Sequence, residues 1–394
     1  MDFQTIKEYD FTGKRELVRV DFNVPLKDGV VGDDTRVKAA LPTIKMLLEK
    51  GASIVLMSHL GRPKGERKME YSLAPVAAHL GKLLDREVKM APDCVGEDVE
   101  AMAQALKAGE ILVLENVRFY AEETKNVPEF SQKLAKLGDV YVNDAFGSAH
   151  RAHSSTTGVT EYLPSLAGLL MEKELNELGK LMDNPGHPFV VLLGGAKVSD
   201  KIGVMENLIG KADCILVGGG MAFPFLKADG YEIGTSLCAE EDIEVSKRIV
   251  EKAEGTSTKL MFPIDIVGAT EFAENAVNDV YGVDNIPADR MGLDIGPKTV
   301  EAYTNVVAGA QTIFWNGPMG VFEKKPFDIG TRAIAQAVAD SPARSVVGGG
   351  DSVAALNQAG LADQITHVST GGGASMEFVE GKALPGVVGL CQSK

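Results

Sequence analysis

Short runs of apolar residues recur along the chain, at Leu17–Val20, Ile54–Met57, Ile111–Leu114, Val140–Val142, Val190–Leu193, Cys214–Val217, Leu260–Phe262, Thr312–Trp315 and Ser345–Val347. They are rich in Val, Ile and Leu and mostly continuous rather than alternating, the pattern of strands buried on both faces of a sheet. Stretches with helical spacing of apolar positions lie between them, among them Val37–Leu48 and Leu73–Leu84. This alternation predicts an α/β fold with parallel sheets.

One predicted helix stands apart by its position. Leu166, Leu169, Leu170, Leu175, Leu178 and Leu181 recur at helical spacing and stop at Asp183-Asn184-Pro185-Gly186, a strong terminator. Lying near mid-chain, it is the best place for a domain boundary, although the same pattern serves an ordinary core helix. At about 150 residues per domain, 394 residues suggest two domains rather than one or three.

Composition narrows the partners. Lys+Arg number 40 and Asp+Glu 55, a net charge of −15, which argues against nucleic acid or an anionic membrane as the main partner. An anionic small ligand would need a local cluster of cations. Cys94, Cys214, Cys238 and Cys391 are scattered, with no CxxC pair, which speaks against a zinc module or disulfide framework and fits a reducing cytoplasm. The first residues, MDFQTIKEYDF, lack the apolar core of a signal peptide, and no run approaches the ~20 apolar residues of a membrane span. The expectation is a cytoplasmic protein.

The residues after each strand carry the chemistry, because loops and helix starts converge at strand carboxyl ends in an open parallel sheet. In the first half these ends read Asp21-Phe22-Asn23, Ser58-His59-Leu60-Gly61-Arg62, Glu115-Asn116-Val117-Arg118 and Asn143-Asp144-Ala145-Phe146, running on to His150-Arg151-Ala152-His153. In the second half they read Gly194-Gly195-Ala196-Lys197, Gly218-Gly219-Gly220, Asn316-Gly317-Pro318, Gly348-Gly349-Gly350-Asp351 and Gly371-Gly372-Gly373. One half offers arginine and histidine, the other glycine, which implies two different ligands.

Any one of Arg36, Arg62, Arg118 and Arg151 alone reads as a surface charge. Four of them near strand ends, with His59 and His153, make a site for a small dianion, since guanidinium groups bond carboxylates and phosphates in bidentate fashion. Each glycine triplet alone reads as a tight turn. Three at strand ends suit close approach of backbone N–H groups to phosphate, although neither GxxxxGK[ST] nor GxGxxG is present. Asp351 could hold Mg²⁺, and Ser352 follows it. Lys197 and Lys201, four apart, share one face if a helix starts there, a placement that invites an anion, although two solvated lysines with Asp200 as partner fit the same spacing. Glu323 could accept from ribose hydroxyls, although spacing alone gives only an exposed acid, while Trp315 is most simply a core residue. Phosphoryl transfer between a small anion and a nucleotide is the economical hypothesis. A dinucleotide-dependent dehydrogenase would need the missing fingerprint. A non-catalytic anionic-metabolite or nucleotide-binding protein would not need the lysines and glycines together.

Several strings resemble phosphoglycerate kinase: Val18-Arg19-Val20-Asp21-Phe22-Asn23-Val24-Pro25, Ser58-His59-Leu60-Gly61-Arg62-Pro63, Leu114-Glu115-Asn116-Val117-Arg118-Phe119, Asn143-Asp144-Ala145-Phe146, Gly194-Gly195-Ala196-Lys197, Trp315-Asn316-Gly317-Pro318-Met319-Gly320 and Gly348-Gly349-Gly350-Asp351-Ser352. The resemblance runs nearly end to end and is to the bacterial, single-function form. It implies two Rossmann-like lobes, each a parallel sheet flanked by helices, joined by an interdomain helix across a cleft. The expected divisions are a 3-phosphoglycerate lobe over 1–165, helix and hinge over 166–186, a nucleotide lobe over 187–377, and a tail over 378–394 packing back on the first lobe.

The implied reaction is reversible transfer from 1,3-bisphosphoglycerate to MgADP, giving 3-phosphoglycerate and MgATP, in line, without a covalent enzyme intermediate and with hinge closure. By motif, Asp21, Phe22, Asn23, Arg36, His59, Leu60, Gly61, Arg62, Arg118 and Arg151 fall on substrate positions. Gly195, Ala196, Lys201, Gly219, Gly292, Asn316, Pro318, Glu323, Gly348, Gly349, Gly350, Asp351 and Ser352 fall on nucleotide positions, with Asp351 toward the Mg²⁺. Arg36, Lys197, Lys201, Gly350 and Gly372 fall on the transferring phosphoryl group. The resemblance implies small-molecule partners only and a monomer. Arg290 departs from it, standing where many relatives resemble a tryptophan-bearing loop.

Overall fold

The computed structural model describes residues 3–392. The chain divides into two compact units, one running to Asn176 and resuming at Ala383, the other Glu177–Lys382.

The first unit is built on six parallel strands: β1 (Arg15–Val20), β4 (Ser53–Met57), β5 (Lys89–Met90), β6 (Ile111–Val113), β7 (Val140–Asp144) and β8 (Ser165–Ala167), in the order β5-β6-β4-β1-β7-β8. A small antiparallel pair, β2 (Leu26–Lys27) and β3 (Val30–Val31), follows β1. Val18 and Val20 of β1, Leu56 of β4 and Val142 of β7 pack with Val37, Ile44 and Leu47 of the helix Thr35–Glu49 and with Val76 and Leu80 of the helix Ala74–Leu84. Each such side chain contributes about 1.5–3 kcal/mol by leaving water. Glu16 and Arg19 of β1 are nonetheless fully buried. Register sets the site. Arg19 pairs with Met57 of β4 and Asn143 of β7, so the residues after the three strands emerge along one edge.

The mid-chain helix runs Leu169–Asp183, and the division between units falls within it. Its predicted first residue, Leu166, belongs instead to β8, because Gly168 passes against Asp144, where a Cβ would meet Oδ1 at 2.2 Å. The Asp144 carboxylate then accepts from the N–H groups of Leu170 and Met171 at 2.9 and 3.3 Å and starts the helix. The helix Pro385–Gln392 belongs to the first unit, where Gly386 N donates to Ala149 O at 2.9 Å.

The second unit carries β9 (Phe189–Leu193), β10 (Cys214–Val217), β11 (Lys259–Met261), β15 (Thr312–Asn316), β16 (Arg344–Gly348) and β17 (His367–Val368), all parallel in the order β11-β10-β9-β15-β16-β17. Counted by appearance in this sheet the order is 3-2-1-4-5-6, that of dinucleotide-binding folds, with the switch between β9 and β15. Trp315 is a core residue, fully buried, its Nε1 donating to Gly317 O at 2.7 Å. A three-stranded antiparallel sheet, β13-β12-β14, adds β12 (Asp265–Ala269), β13 (Asn278–Gly282) and β14 (Met291–Ile295). The apolar runs do not reveal it, because β13 exposes Asn278, Asp279 and Val280 and β12 carries a bulge at Val267/Gly268.

Candidate functional site

In the first unit, strand ends are stitched together by side chains that the strands themselves cannot satisfy. Asn23, past β1, accepts from Gly61 N at 2.8 Å, and Phe22 N donates to Ser58 Oγ at 2.8 Å. Asn116, past β6, donates to Leu60 O at 2.7 Å and accepts from Arg118 N at 3.0 Å. Arg118 Nη1 donates to Gly61 O at 2.9 Å. Asn23 N donates to Asp21 Oδ1 at 3.1 Å and Ser58 Oγ to His59 O at 3.0 Å, so Asp21, Asn23, His59, Leu60, Gly61 and Arg118 form one connected edge. Arg36, from the first turn of its helix, reaches the same edge: its Nη1 lies 3.1 Å from Asp21 Oδ1 and 3.2 Å from Asn23 O. Arg62 is exposed and, among the described residues, makes no hydrogen bond or ion pair. Arg151 donates from Nε to His150 Nε2 at 3.2 Å.

The electrostatics here are strongly cationic despite the acidic chain. Burial, then Arg19, Arg118, Arg36 and Arg151, push His59 well below its ordinary range, so it is neutral at pH 7. His153 is pushed down to about 4 by burial and by Arg118, Arg19 and Arg151. Arg118 falls to about 10, through burial first and then Arg19 and Arg151. Such mutual repulsion stores affinity for an anion.

Arg19 is the residue that sequence reasoning missed. It lies inside an apolar strand, where a charge reads as an interruption. In the structure it is buried beneath the edge, bonded to Ser155 and His59. The one signal was its place in that run.

In the second unit the glycine turns close on one another. Gly317 has φ +95, and a Cβ there would sit 2.1 Å from Gly194 O; Gly219, at φ +67, would meet Gly195 O at 2.7 Å. This approach uses up backbone donors. Gly194 N bonds Asn316 O, Gly195 N bonds Pro318 O and Gly219 N bonds Met319 O, at 2.9–3.0 Å. These three N–H groups are therefore already bonded within the protein, and the glycines let three turns meet. Free donors are found instead at Gly350, Asp351 and Ser352, which begin the helix Gly350–Ala359 and have no intrahelical partner for their N–H groups. Gly372 precedes another helix start, Gly373–Val379, at φ +50.

Beside these turns is a cavity of about 440 Å³, lined by Gly195, Ala196, Gly219, Gly292, Pro318, Glu323 and Asp351 from the predicted set, and by Thr235, Leu237, Phe272, Met291, Leu293 and Val321, which the sequence did not single out. Met291–Leu293 come from the unforeseen antiparallel sheet. Gly292 admits Phe223 behind it, since a Cβ would meet the ring at 2.1 Å. Asn316 is buried, accepting from Lys201 Nζ and donating to Gly348 O at 2.7 Å. Ser352 Oγ accepts from Gly317 N at 2.6 Å. Burial lowers the Lys201 ammonium from its ordinary value, opposed by Asp200, Asp351 and Glu380. Lys197 and Lys201 do not share an α-helical face: Val198–Lys201 is a single 3₁₀ turn and the α-helix begins at Ile202. Lys197 is exposed. Arg290 donates to Tyr281 Oη at 3.2 Å and pairs with Asp289, and its carbonyl accepts from Thr235 N, a residue of the cavity lining, at 2.8 Å.

Among the described residues no cluster of three His, Cys, Asp or Glu could hold a metal alone, and no helix is long and apolar enough to cross a membrane.

A family model for phosphoglycerate kinase matches residues 6–382. A curated phosphoglycerate kinase of Chloroherpeton thalassium is 55% identical over 394 residues, 99% of each chain. Among solved structures, phosphoglycerate kinase from Coxiella burnetii matches with TM-score 0.93 at 43% identity over 100% of both chains. That from Pyrococcus horikoshii OT3 matches with TM-score 0.81 at 35% identity over 98% of both.

Proposed function

The chain belongs to the phosphoglycerate kinase family, and from that premise we propose how its residues divide the reaction. It is a phosphotransferase with a carboxyl group as acceptor, interconverting 1,3-bisphosphoglycerate and ADP with 3-phosphoglycerate and ATP. In our reading the cationic edge of the first unit (Asp21, Phe22, Asn23, Arg36, His59, Leu60, Gly61, Arg62, Arg118, Arg151) takes the phosphoglycerate. The cavity of the second unit takes the nucleotide, with Glu323 toward the ribose and the start of the Gly350–Ala359 helix toward the phosphates. The observation that carries this assignment is the cavity framed by the meeting glycine turns, with Lys201 and Asp351 beside it.

Asp351, an exposed carboxylate at that helix start, fits a Mg²⁺ carried by the nucleotide, since Mg²⁺ in phosphate sites uses one or two carboxylates and the phosphates themselves. When bound, Mg²⁺ neutralises charge on the phosphate oxygens. Arg36, Lys197 and Lys201, with the Gly350 and Gly372 turns, stabilise the group in flight. Transfer is direct and in line, and it requires the two bound ligands to reach a near-attack separation of ~3–3.5 Å, so hinge closure is part of the proposal. The four scattered cysteines with no CxxC pair support a cytoplasmic enzyme, and the family resemblance a monomer.

A coupled assay of ATP-dependent phosphorylation of 3-phosphoglycerate tests the activity. Thermal shift with each ligand separately tests the two sites: stabilisation by both 3-phosphoglycerate and MgADP is expected, and stabilisation by one alone would reject the division.

A further inference from the structure

Beneath the cationic edge lies a chain of buried polar groups that ends on His59. Glu123 is fully buried; its Oε2 accepts from Ser155 N at 2.9 Å and its Oε1 from Ser155 Oγ at 2.6 Å. Ser155, also fully buried, accepts in turn from Arg19 Nε at 2.8 Å. Arg19 Nη2 lies 3.1 Å from His59 Nδ1. A guanidinium has donors and no acceptor, so this last bond exists only if Nδ1 is the unprotonated ring nitrogen.

We propose that Glu123 and Ser155 are positioning residues, which fix Arg19 so that it holds the His59 proton on Nε2. His59 is then a neutral ring with one donor of set direction, pre-oriented for an anionic oxygen. The direction of each link supports this. The Ser155 hydroxyl has one proton, given to Glu123, which leaves its lone pairs to Arg19. Glu123 supplies the opposite charge that lets Arg19 remain buried. Burial raises the Glu123 carboxyl, while Arg19 and the two Ser155 bonds act to keep it ionised. Arg118, Arg36 and Arg151 repel a second proton on His59. His153, with Nδ1 3.8 Å from Glu123 Oε1, is too distant for a hydrogen bond and does not complete the chain.

The donor's use rests on the placement of His59 in the phosphoglycerate site; the tautomer does not. Nitrogen-15 NMR of the full-length, histidine-labelled protein without ligand reads the tautomer, with the resonance assigned by His59→Gln. Wild type should show Nε2–H at pH 7. Ser155→Ala, which changes no charge, should populate both tautomers and raise KM for 3-phosphoglycerate by about three- to tenfold with KM for ATP unmoved. Ser155→Thr, restoring the hydroxyl, should recover both. If Ser155→Ala does not fold, the nearly isosteric Glu123→Gln should give the same two changes. A wild-type Nδ1–H ring, or a tautomer unaffected by a folded variant, overturns the chain of positioning. A shifted tautomer with unchanged KM for 3-phosphoglycerate overturns instead the use of His59 at that site.

Discussion

The Lys201 ammonium donates to the side-chain oxygen of Asn316, whose nitrogen donates to Gly348 O at 2.7 Å. One amide therefore ties the cation to the turn that begins the Gly350–Ala359 helix. Burial already disfavours that charge, so any anion arriving there relieves it. Losing one preorganised donor of this kind typically costs ~2.7–4 kcal/mol, or ~10²–10³ in rate. Lys201→Ala should lose about that much in single-turnover phosphoryl transfer. A folded Lys201→Ala protein that binds MgATP and transfers at near wild-type rate would sink the assignment.

Arg62 is exposed and unengaged, whereas Arg36 and Arg118 are already bonded to the protein. Its affinity for an anion is thus not offset by breaking an internal bond. Arg62→Ala should raise KM for 3-phosphoglycerate by about tenfold or more, in line with ~1.5–3 kcal/mol for a hydrogen bond to a charged group, and leave KM for ATP little changed. Equal weakening of both ligands, measured by steady-state kinetics, would show that the lobes are wrongly assigned.

Gly317 combines a positive φ with backbone 2.1 Å from where a Cβ would go. Neither neighbour is the end of a flexible side chain, so Gly317→Ala must push the Gly194 turn away from β15. The nucleotide cavity should deform while the first unit keeps its ligand. Calorimetry should show MgADP binding lost and 3-phosphoglycerate binding retained; MgADP binding at wild-type strength would refute the role given to this contact.

What could be read from sequence, and what could not, follows from how each feature is encoded. The parallel sheets were legible because strands buried on both faces are continuously apolar, as in Phe189–Leu193. The small antiparallel sheet was not, because half-exposed strands such as Asn278–Gly282 mix polar and apolar residues. Asp21, His59 and Arg118 stood out as polar residues following apolar runs. Arg19 did not, since its buried hydrogen-bond partner Ser155 lies 136 positions away. Leu237 and Phe272, which line the cavity proposed for the nucleotide, gave no local signal either: both are exposed apolar residues, and their meaning comes from the concavity around them.

Glu16 is fully buried in β1, and neither carboxylate oxygen finds a hydrogen-bond partner in another residue among those described. Burial first, then Asp139, push its carboxyl up to about 8. The folded protein keeps this proton up to about pH 8, while the unfolded chain releases it above its ordinary 4.5. Unfolding therefore releases a proton inside that window, and this contribution to stability declines as pH rises through it. Glu16→Gln should flatten the decline and raise Tm at pH 8 by on the order of 3–10 °C, with little change at pH 5. Parallel Tm-versus-pH curves for the two proteins would exclude the effect.

Histidine is the usual acid–base residue near neutrality, yet neither His59 nor His153 is suited to remove a proton, and none needs removing. In the ATP-forming direction the attacking oxygen belongs to an ionised diphosphate. In reverse it belongs to a carboxylate, whose pKa should resemble the ~3.5 of an α-carboxyl. Both nucleophiles are already deprotonated at pH 7. His153 is held down to about 4 and His59 is pushed well below its ordinary range, so both are neutral throughout the physiological interval. Protonation of His153 could slow transfer only far below the ~pH 6 at which ligand phosphates themselves titrate. The negative charge on the phosphoryl oxygens in flight is what needs help, and in the proposed mechanism cations supply it. Single-turnover transfer should therefore be flat between about pH 6.5 and 8.5, where ligand phosphates are already ionised. His153→Gln should stay within about tenfold of wild type, the substitution removing no proton acceptor the reaction uses. An acidic limb within that interval that disappears in His153→Gln would establish a histidine base and overturn the cation-only mechanism.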